Sequence, residues 1–341
     1  MPAVTKNQDQ LHPLEAARGG DERAFRRLIE PHRGELHLHC YRMLGSVHDA
    51  DDALQEALLK AWRGLARFDG RSSLYTWLYR ITTNACLDAI SRRPKRVLPI
   101  DYGPPSDPAE EPDVVFNRSV WIEPYPGAAE AVDSPEARFE QREAIELAFV
   151  AAIQHLSGKQ RAALVLRDVL GFSARETAHA LGTTVPSVTS ALQRARRTLG
   201  ERLPERSQQA TMRALGDERS RHIVKEFVDA FERGDVGTIL AVLAEDATFA
   251  MPPYPRWCRG RDAIAASWLM PGGPPSRLRY LETEANGQPA AAVYLLDRDQ
   301  RAYVPLCLDV FTLRGPWIAD VTAFRMPELF RRFGLPDRLP G

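Results

Sequence analysis

Gly171-Phe172-Ser173-Ala174-Arg175-Glu176-Thr177-Ala178-His179-Ala180-Leu181-Gly182-Thr183-Thr184-Val185-Pro186-Ser187-Val188-Thr189-Ser190-Ala191-Leu192-Gln193-Arg194-Ala195-Arg196-Arg197 is the stretch from which the fold can be read. Ser173 and Glu176, three residues apart, make a capping box that starts a helix with Ala178 and Leu181 as its apolar positions. Gly182 supplies the left-handed stop, and Thr184 is placed to cap a second helix. That second helix carries Val185, Val188, Leu192, Ala195 and Leu199 on one face. Its other surface carries Ser187, Ser190, Gln193, Arg194, Arg196 and Arg197. Small hydroxyls and an amide that fit a major groove, followed by arginines for phosphates or guanine edges, suit a helix-turn-helix recognition helix. A helical hairpin with a solvated basic face is the plainer alternative. The coincidence of cap, glycine turn and basic second helix favours DNA.

Working outward, this motif ends a helical block over residues 135–203. A second helical block, residues 19–96, precedes it, with Leu, Ile, Phe and Trp at three- and four-residue spacing. Between them, residues 97–134 differ in kind. Residues 101–133 hold six prolines and eight acidic residues against the single basic Arg118, so this stretch is expected to build no core and to act as an extended linker. A third block, residues 217–335, opens with amphipathic helices (222–233 and 236–244). It continues in strand-like runs at 290–296, 305–313 and 317–324, an α+β pattern.

With 341 residues, two or three domains are expected. The formal net charge is zero, so any DNA-binding surface must be local. Cys40, Cys86, Cys258 and Cys307 are scattered, which argues against a zinc ribbon or a disulfide framework; no metal and no cofactor are expected. The polar start and the lack of an apolar run near the roughly 20 residues of a membrane span point to a cytoplasmic protein with no membrane partner.

In the first block, Asp49-Ala50-Asp51-Asp52-Ala53-Leu54-Gln55-Glu56-Ala57-Leu58-Leu59-Lys60-Ala61-Trp62 places four acids within two turns beside apolar neighbours. Such a patch suits a basic protein partner better than DNA, or else is a solvated helix face. Phe68-Asp69-Gly70-Arg71-Ser72-Ser73-Leu74-Tyr75-Thr76-Trp77-Leu78-Tyr79-Arg80 is a polar loop leading into a helix. In that helix Trp77 reads as a core aromatic, while Arg80, Asn84 and Asp88 share one face. Arg92, Arg93, Lys95 and Arg96 form a basic cluster at its end.

These two runs resemble group IV (extracytoplasmic function) sigma factors, and the helix-turn-helix block resembles the same family's second module, in the family's order. The resemblance implies that Asp49, Asp51, Asp52, Gln55 and Glu56 dock on the clamp of RNA polymerase core. It implies that the loop with Arg71 and Ser72 captures a flipped base of the downstream (minus-ten) element, at a cost of a few kcal/mol per unstacked base. It places Arg80, Asn84, Asp88, Arg92, Arg93 and Arg96 on that DNA. It places Ser187, Ser190, Gln193, Arg194 and Arg197 on the upstream (minus-thirty-five) element, beside the polymerase flap. A helix-turn-helix regulator working without core polymerase is the alternative.

The third block resembles the SnoaL-like cone-shaped α+β domain through Val228-Asp229-Ala230-Phe231-Glu232-Arg233-Gly234-Asp235, Leu243-Ala244-Glu245-Asp246-Ala247-Thr248-Phe249 and Arg259-Gly260-Arg261-Asp262-Ala263-Ile264. Some extracytoplasmic function sigma factors carry this domain in place of a separate anti-sigma protein, which implies modulation in cis by an unknown ligand or protein. Pro252, Pro253, Tyr254 and Trp257 are read as a pocket mouth or an interface, with plain core packing equally open. Related cone domains include enzymes, but here only Asp297, Asp309 and Asp320 stand in or beside strands, and His222 is the last histidine. No catalytic residue is assigned; a SnoaL-type enzyme fused to a DNA-binding module is the remaining alternative. The expected fold is thus multidomain: two all-α sigma modules, the second a helix-turn-helix, plus a C-terminal α+β SnoaL-like cone domain.

Overall fold

The computed structural model describes residues 13–107, 120–127, 141–268 and 277–341. The described chain divides into two compact units. The first joins the residues up to Lys95 with Ala152–Arg202, and the second joins those from Arg96 up to Ala151 with Leu203–Gly341.

The first unit is all helical. Asp21 accepts from the free N–H groups of Arg23 and Ala24 and so starts α1 (Glu22–Leu44), which Gly45 ends at φ 70°. Ser46 and Ser73 cap α2 (Val47–Gly64) and α3 (Leu74–Arg92) in the same manner. These three helices pack through Leu36, Tyr41, Ala50, Leu54, Ala57, Trp77 and Leu78, all buried. The helix-turn-helix block packs on them. Its helix α6 (Gly158–Leu164) runs on into a π-turn (Val165–Val169) and is followed by α7 (Ala174–Ala180) and α8 (Val185–Gly200). Both reciprocal bonds of the capping box expected at Ser173 and Glu176 are present, and a second box joins Ser157 to Gln160. Phe172 meets the rings of Tyr75 and Tyr79 at 5.8 and 5.5 Å, so the two helical blocks share one apolar seam.

The second unit is built on one sheet whose strands run in the order β2-β1-β6-β5-β4-β3, with β7 added beside β5. The strands are β1 (Leu243–Ala250), β2 (Trp257–Arg259), β3 (Leu278–Ala285), β4 (Gln288–Asp297), β5 (Ala302–Arg314), β6 (Trp317–Phe324) and β7 (Leu339–Pro340). β1 and β6 are parallel and the other pairings antiparallel. The amphipathic helix α10 (Asp217–Arg233) lays Phe227 and Phe231 on the concave face, where Phe227 meets Phe311 at 5.3 Å. Helices α11 (Val236–Val242) and α12 (Arg261–Trp268) complete the cover. β4, β5 and β6 match the three strand runs expected, whereas β1 to β3 and the short β7 are additional. β1 was hidden because it begins at Leu243 with no turn after α11, where a helix was expected to run to 244.

The linker departs most from expectation. Its described parts belong to the second unit and help to build its interior. Trp121 and Ile122 are fully buried. Val97 and Trp121 form a parallel bridge, and Pro126 bridges Ala285 at the end of the β3 edge. The side chain of Asn286 accepts from Tyr125 N at 2.9 Å, and its own N–H donates to Tyr125 O at 2.9 Å. Further along, α4 (Pro99–Tyr102) lies under Trp121 with Tyr102 at 5.5 Å, and Gly103 O accepts from the Trp257 indole at 2.9 Å. Composition averages hide this, because two large apolar residues among many acids and prolines suffice for a local core.

The first turns of the second helical block are also built into this unit. The buried carboxylate of Glu146 accepts from Gln208 N at 3.0 Å and Gln209 N at 2.6 Å, closing the N-terminus of α9 (Gln208–Leu215). Gln288 accepts from Leu147 N, and Asn286 donates to Ile145 O, both at 2.8 Å. The boundary between the two units falls inside α5 (Leu147–Gln154).

If the linker is part of this interior, Trp121→Ala should lower the unfolding free energy of the second unit by about 3–5 kcal/mol, the usual range for emptying a buried Trp site. A solvated tether would change it by less than about 0.5 kcal/mol. Urea unfolding followed by tryptophan fluorescence separates the two outcomes.

Candidate nucleic-acid interface

On α8 the buried stripe is Val188, Ala191, Leu192, Ala195 and Leu199. Thr184 caps the helix by accepting from Ser187 N at 3.3 Å. Ser187, Ser190, Gln193, Arg194 and Arg197 are all exposed and lie on one continuous surface. Arg197 pairs with Glu201 one turn on, while Arg196 is held by both oxygens of Asp168 at 2.8 and 2.9 Å. The residues expected on the outward side of this helix therefore share one exposed surface. One residue differs: Val185, expected on the apolar side, is 42% exposed.

In the first block the charges expected to meet two different partners pair with each other. Arg93 makes ion pairs with Asp49 and Asp52, the second at 3.4 Å. Lys60 bridges Glu56 at 2.8 Å and Asp88 at 3.3 Å, and His37 meets Asp51 at 3.0 Å. Gln55 is exposed on the same helix. The Lys60 pairs and Arg93–Asp52 are exposed and hold about 0–1 kcal/mol each, so partner groups can replace them, whereas Asp49, expected at the docking surface, is buried beside Arg93. Asn84, Asp88 and Arg92 are exposed on α3. Arg71 is paired to Asp69 across Gly70, whose φ of 72° needs no Cβ, and Ser72 is half-buried beside it. Trp77 packs on Phe68 at 5.1 Å, the core role expected of it.

Two residues do not stand where a DNA surface needs them. Arg96 is buried, donating to Trp121 O at 2.5 Å and facing Glu123 at 4.0 Å, so its charge stabilises the linker fold instead of meeting phosphate. Arg80 donates to His179 of α7 at 3.1 Å, so in this state the helix-turn-helix covers part of the face that α3 was expected to show to DNA. Sequence reasoning missed His179, Phe172 and Arg161, because their roles arise only from contacts far along the chain.

In the cone domain, Pro252 and Pro253 are joined by a cis peptide and buried, with Tyr254 half-buried under Arg325. Trp257 holds the linker: besides the indole bond to Gly103, its carbonyl accepts from Ser106 N at 2.8 Å, and Arg256 donates to Asp107 O at 3.0 Å. Of the readings left open for these residues, internal packing is what the buried Pro252, Pro253 and Trp257 show, with residues 103–107 of the same unit packed against them. A groove of 820 Å³ lies elsewhere, between α9, α10 and the β3–β4 turn, lined by Arg142, Arg213, Arg221, Asp217, Glu282 and Glu284.

The three strand aspartates take three different roles. Asp297 accepts from Asp299 N and Gln300 N in the β4–β5 turn, which holds its carboxyl below the usual range. Asp320 takes the hydroxyls of Thr248 and Thr322 within the sheet. Asp309 is buried on the concave face with Ala291 and Ala323 opposite, its described partner being the Cys307 thiol at 3.4 Å. Loss of hydration there pushes its pKa up to about 7.

Three family matches cover these parts: Sigma-70 region 2 over residues 28–96, Sigma-70 region 4 over 146–199, and a SnoaL-like domain over 224–321. The chain is 42% identical to the ECF RNA polymerase sigma factor SigG of Mycobacterium tuberculosis, across 99% of this chain and 90% of that protein. It is 32% identical to the RNA polymerase sigma-H factor of Pseudomonas aeruginosa, across 59% of this chain and 96% of that one. The crystal structure of the Mycobacterium tuberculosis extracytoplasmic function sigma factor SigJ superposes with a TM-score of 0.58 at 21% identity, covering 89% of this chain and 97% of that one, a likeness of fold.

The raised pKa of Asp309 sets a direction. Its folded value lies above the unfolded one, so its contribution to stability is present in acid and is lost as pH rises from about 4 to 7, by an amount on the order of 3–4 kcal/mol. Burial raises Glu146 to about 7 in the same sense. Asp309→Asn should therefore gain stability over the wild type at pH 8 and little at pH 4, as measured by urea midpoints. Equal gains at both pH values would contradict the burial account.

Proposed function

The chain belongs to the extracytoplasmic function RNA polymerase sigma factors, and on that premise we propose how its parts divide the work of promoter recognition. Sigma factors are specificity subunits, not enzymes: they direct core polymerase to promoters and start transcription. In this reading α2, with Asp49, Asp51, Asp52, Gln55 and Glu56, docks on the clamp of the core enzyme. The loop at residues 69–73, with Asn84 and Asp88 behind it, opens the downstream element. The face of α8 reads the upstream one. The protein works where RNA polymerase does, in the cytoplasm; no described helix is long and apolar enough to cross a membrane. The observation that carries the reading is the outward row Ser187, Ser190, Gln193, Arg194 and Arg197 on a capped helix-turn-helix, in one chain with a separate three-helix block.

The contacts of Phe172 with Tyr75 and Tyr79, and of His179 with Arg80, make this state a closed one. Region 2 and region 4 must part to reach separate promoter elements. The SnoaL-like domain, which holds the linker and the start of region 4, modulates that opening in cis: a ligand or partner that prefers one arrangement shifts the balance by its difference in affinity. A helix-turn-helix regulator would bind its site without polymerase, whereas a sigma factor binds specifically with core enzyme.

Run-off transcription on genomic fragments with purified core polymerase should yield new start sites only when this protein is added; no affinity for core enzyme would overturn the assignment. A wedge tests the closed state. A Cβ on Gly158 would stand 3.0 Å from Leu87 and 3.5 Å from Ile90 of α3. Gly158→Leu should cost the closed form about 1–3 kcal/mol by overpacking and raise the open fraction by roughly fivefold to a hundredfold. Scattering should show expansion, and run-off yield at limiting core should rise. Expansion without any rise would mean that closure does not restrain activity.

A further inference from the structure

We infer that Val185 is a specificity-determining residue that reads the 5-methyl group of a thymine in the upstream promoter element. The inference rests on the assignment of α7 and α8 as the promoter-reading helix-turn-helix. Val185 is the first residue of α8, at the end that a recognition helix pushes into the major groove. By helical spacing it belongs near the stripe that Val188 and Leu192 bury, yet it stands 42% exposed. α7 ends at Ala180, Gly182 turns the chain at φ 59°, and Val185 opens α8 directly after that turn.

The neighbours of Val185 define what it can meet. Thr184 has its hydroxyl oxygen engaged by Ser187 N. Thr189, one turn along, donates its hydroxyl to Val185 O at 3.1 Å, so toward a base edge it offers chiefly its methyl group. Val185 and Thr189 thus make a small apolar strip, flanked by the exposed hydroxyls of Ser187 and Ser190 and followed by Gln193 and Arg194. Among the groups on the major-groove edge of base pairs, the thymine methyl is the apolar one; the others are donors and acceptors. A valine there gains by leaving water only against that methyl, and it loses against a bare polar edge, where it strips water without replacing its hydrogen bonds.

The test uses the full-length protein with core polymerase. Holoenzyme first selects its upstream element from a promoter library randomised in that region. Each selected thymine is then replaced, singly, by deoxyuridine, which removes the methyl and leaves the hydrogen-bonding edge intact. At one position the wild type should bind deoxyuridine about threefold to tenfold more weakly than thymine. Val185→Ala should bind both alike, near the wild type's deoxyuridine level. Because Val185 is exposed and Thr184 still caps the helix, the variant should fold; matching circular dichroism and unchanged core affinity confirm this. If Val185→Ala keeps the wild type's discrimination at every thymine, or if no thymine methyl matters to the wild type, the inference is wrong while the sigma assignment stands. If the wild-type holoenzyme enriches no upstream sequence, the premise fails and the inference falls with it.

Discussion

The Arg161 guanidinium is 4% exposed, and its five hydrogen bonds all go to neutral oxygens. Four come from the end of α5: the carbonyls of Ile153, Gln154 and Leu156 and the side chain of Gln154. The fifth is the carbonyl of Met43, at the end of α1 in the other helical block. Both are helix C-termini, where unpaired carbonyls and the helix dipole favour a cation. Burial still pulls the Arg161 pKa down to about 10. An isolated charge in this position would cost several kcal/mol, so the donors must all be used, and that fixes how α1 and α5 meet. Of the five bonds, one joins the two blocks, and for a charged donor it is worth roughly 1.5–3 kcal/mol. A single bond of that size makes the contact between the blocks firm without making it permanent.

A different economy governs the second unit. Amide side chains do much of the tying here: Gln208 pairs with both backbone groups of Leu313, Gln209 donates to Gly287 O, and Asn286 joins Tyr125 to Ile145. Amides carry donor and acceptor together, so each can complete two broken backbone ladders with little desolvation cost. The single buried carboxylate in this set, Glu146, is placed on a helix N-terminus, where N–H groups are unpaired. The linker, the first turn of region 4 and the cone sheet become one body through groups that are individually weak and jointly satisfied.

Local signals were legible in the sequence and long-range ones were not. Ser173, Glu176, Gly182 and Thr184 specify caps and stops within a few residues, and all four act as expected. The strands at Ala302–Arg314 and Trp317–Phe324 announced themselves by β-branched and aromatic runs on either side of the Gly315 turn. β3 did not, because Arg279, Glu282 and Glu284 interrupt it as an edge strand. Arg96 looked like the last member of a basic cluster, yet Glu123 and the Trp121 carbonyl, far along the chain, claim it. Ser187, Ser190, Gln193, Arg194 and Arg197 face outward on α8 as periodicity expected, whereas Val185, which the same periodicity placed on the apolar side, is exposed at the first position of the helix. For the acidic row on α2 the sequence named the charges but not that Arg93 and Lys60 would sit among them.

The bridge from Pro126 to Ala285 has a consequence for how copies of this protein behave in a crowded cell. β3 is the outermost strand on its side of the sheet, and such a margin invites another chain to lie alongside. Here Glu232 already occupies the Tyr280 N–H at 2.9 Å, and Pro126 sits against the far end with no N–H of its own to offer onward. Loss of the Pro126 contact would uncover that end of the margin and favour pairing between copies, which the intact linker, anchored by Trp121 and Tyr125, discourages.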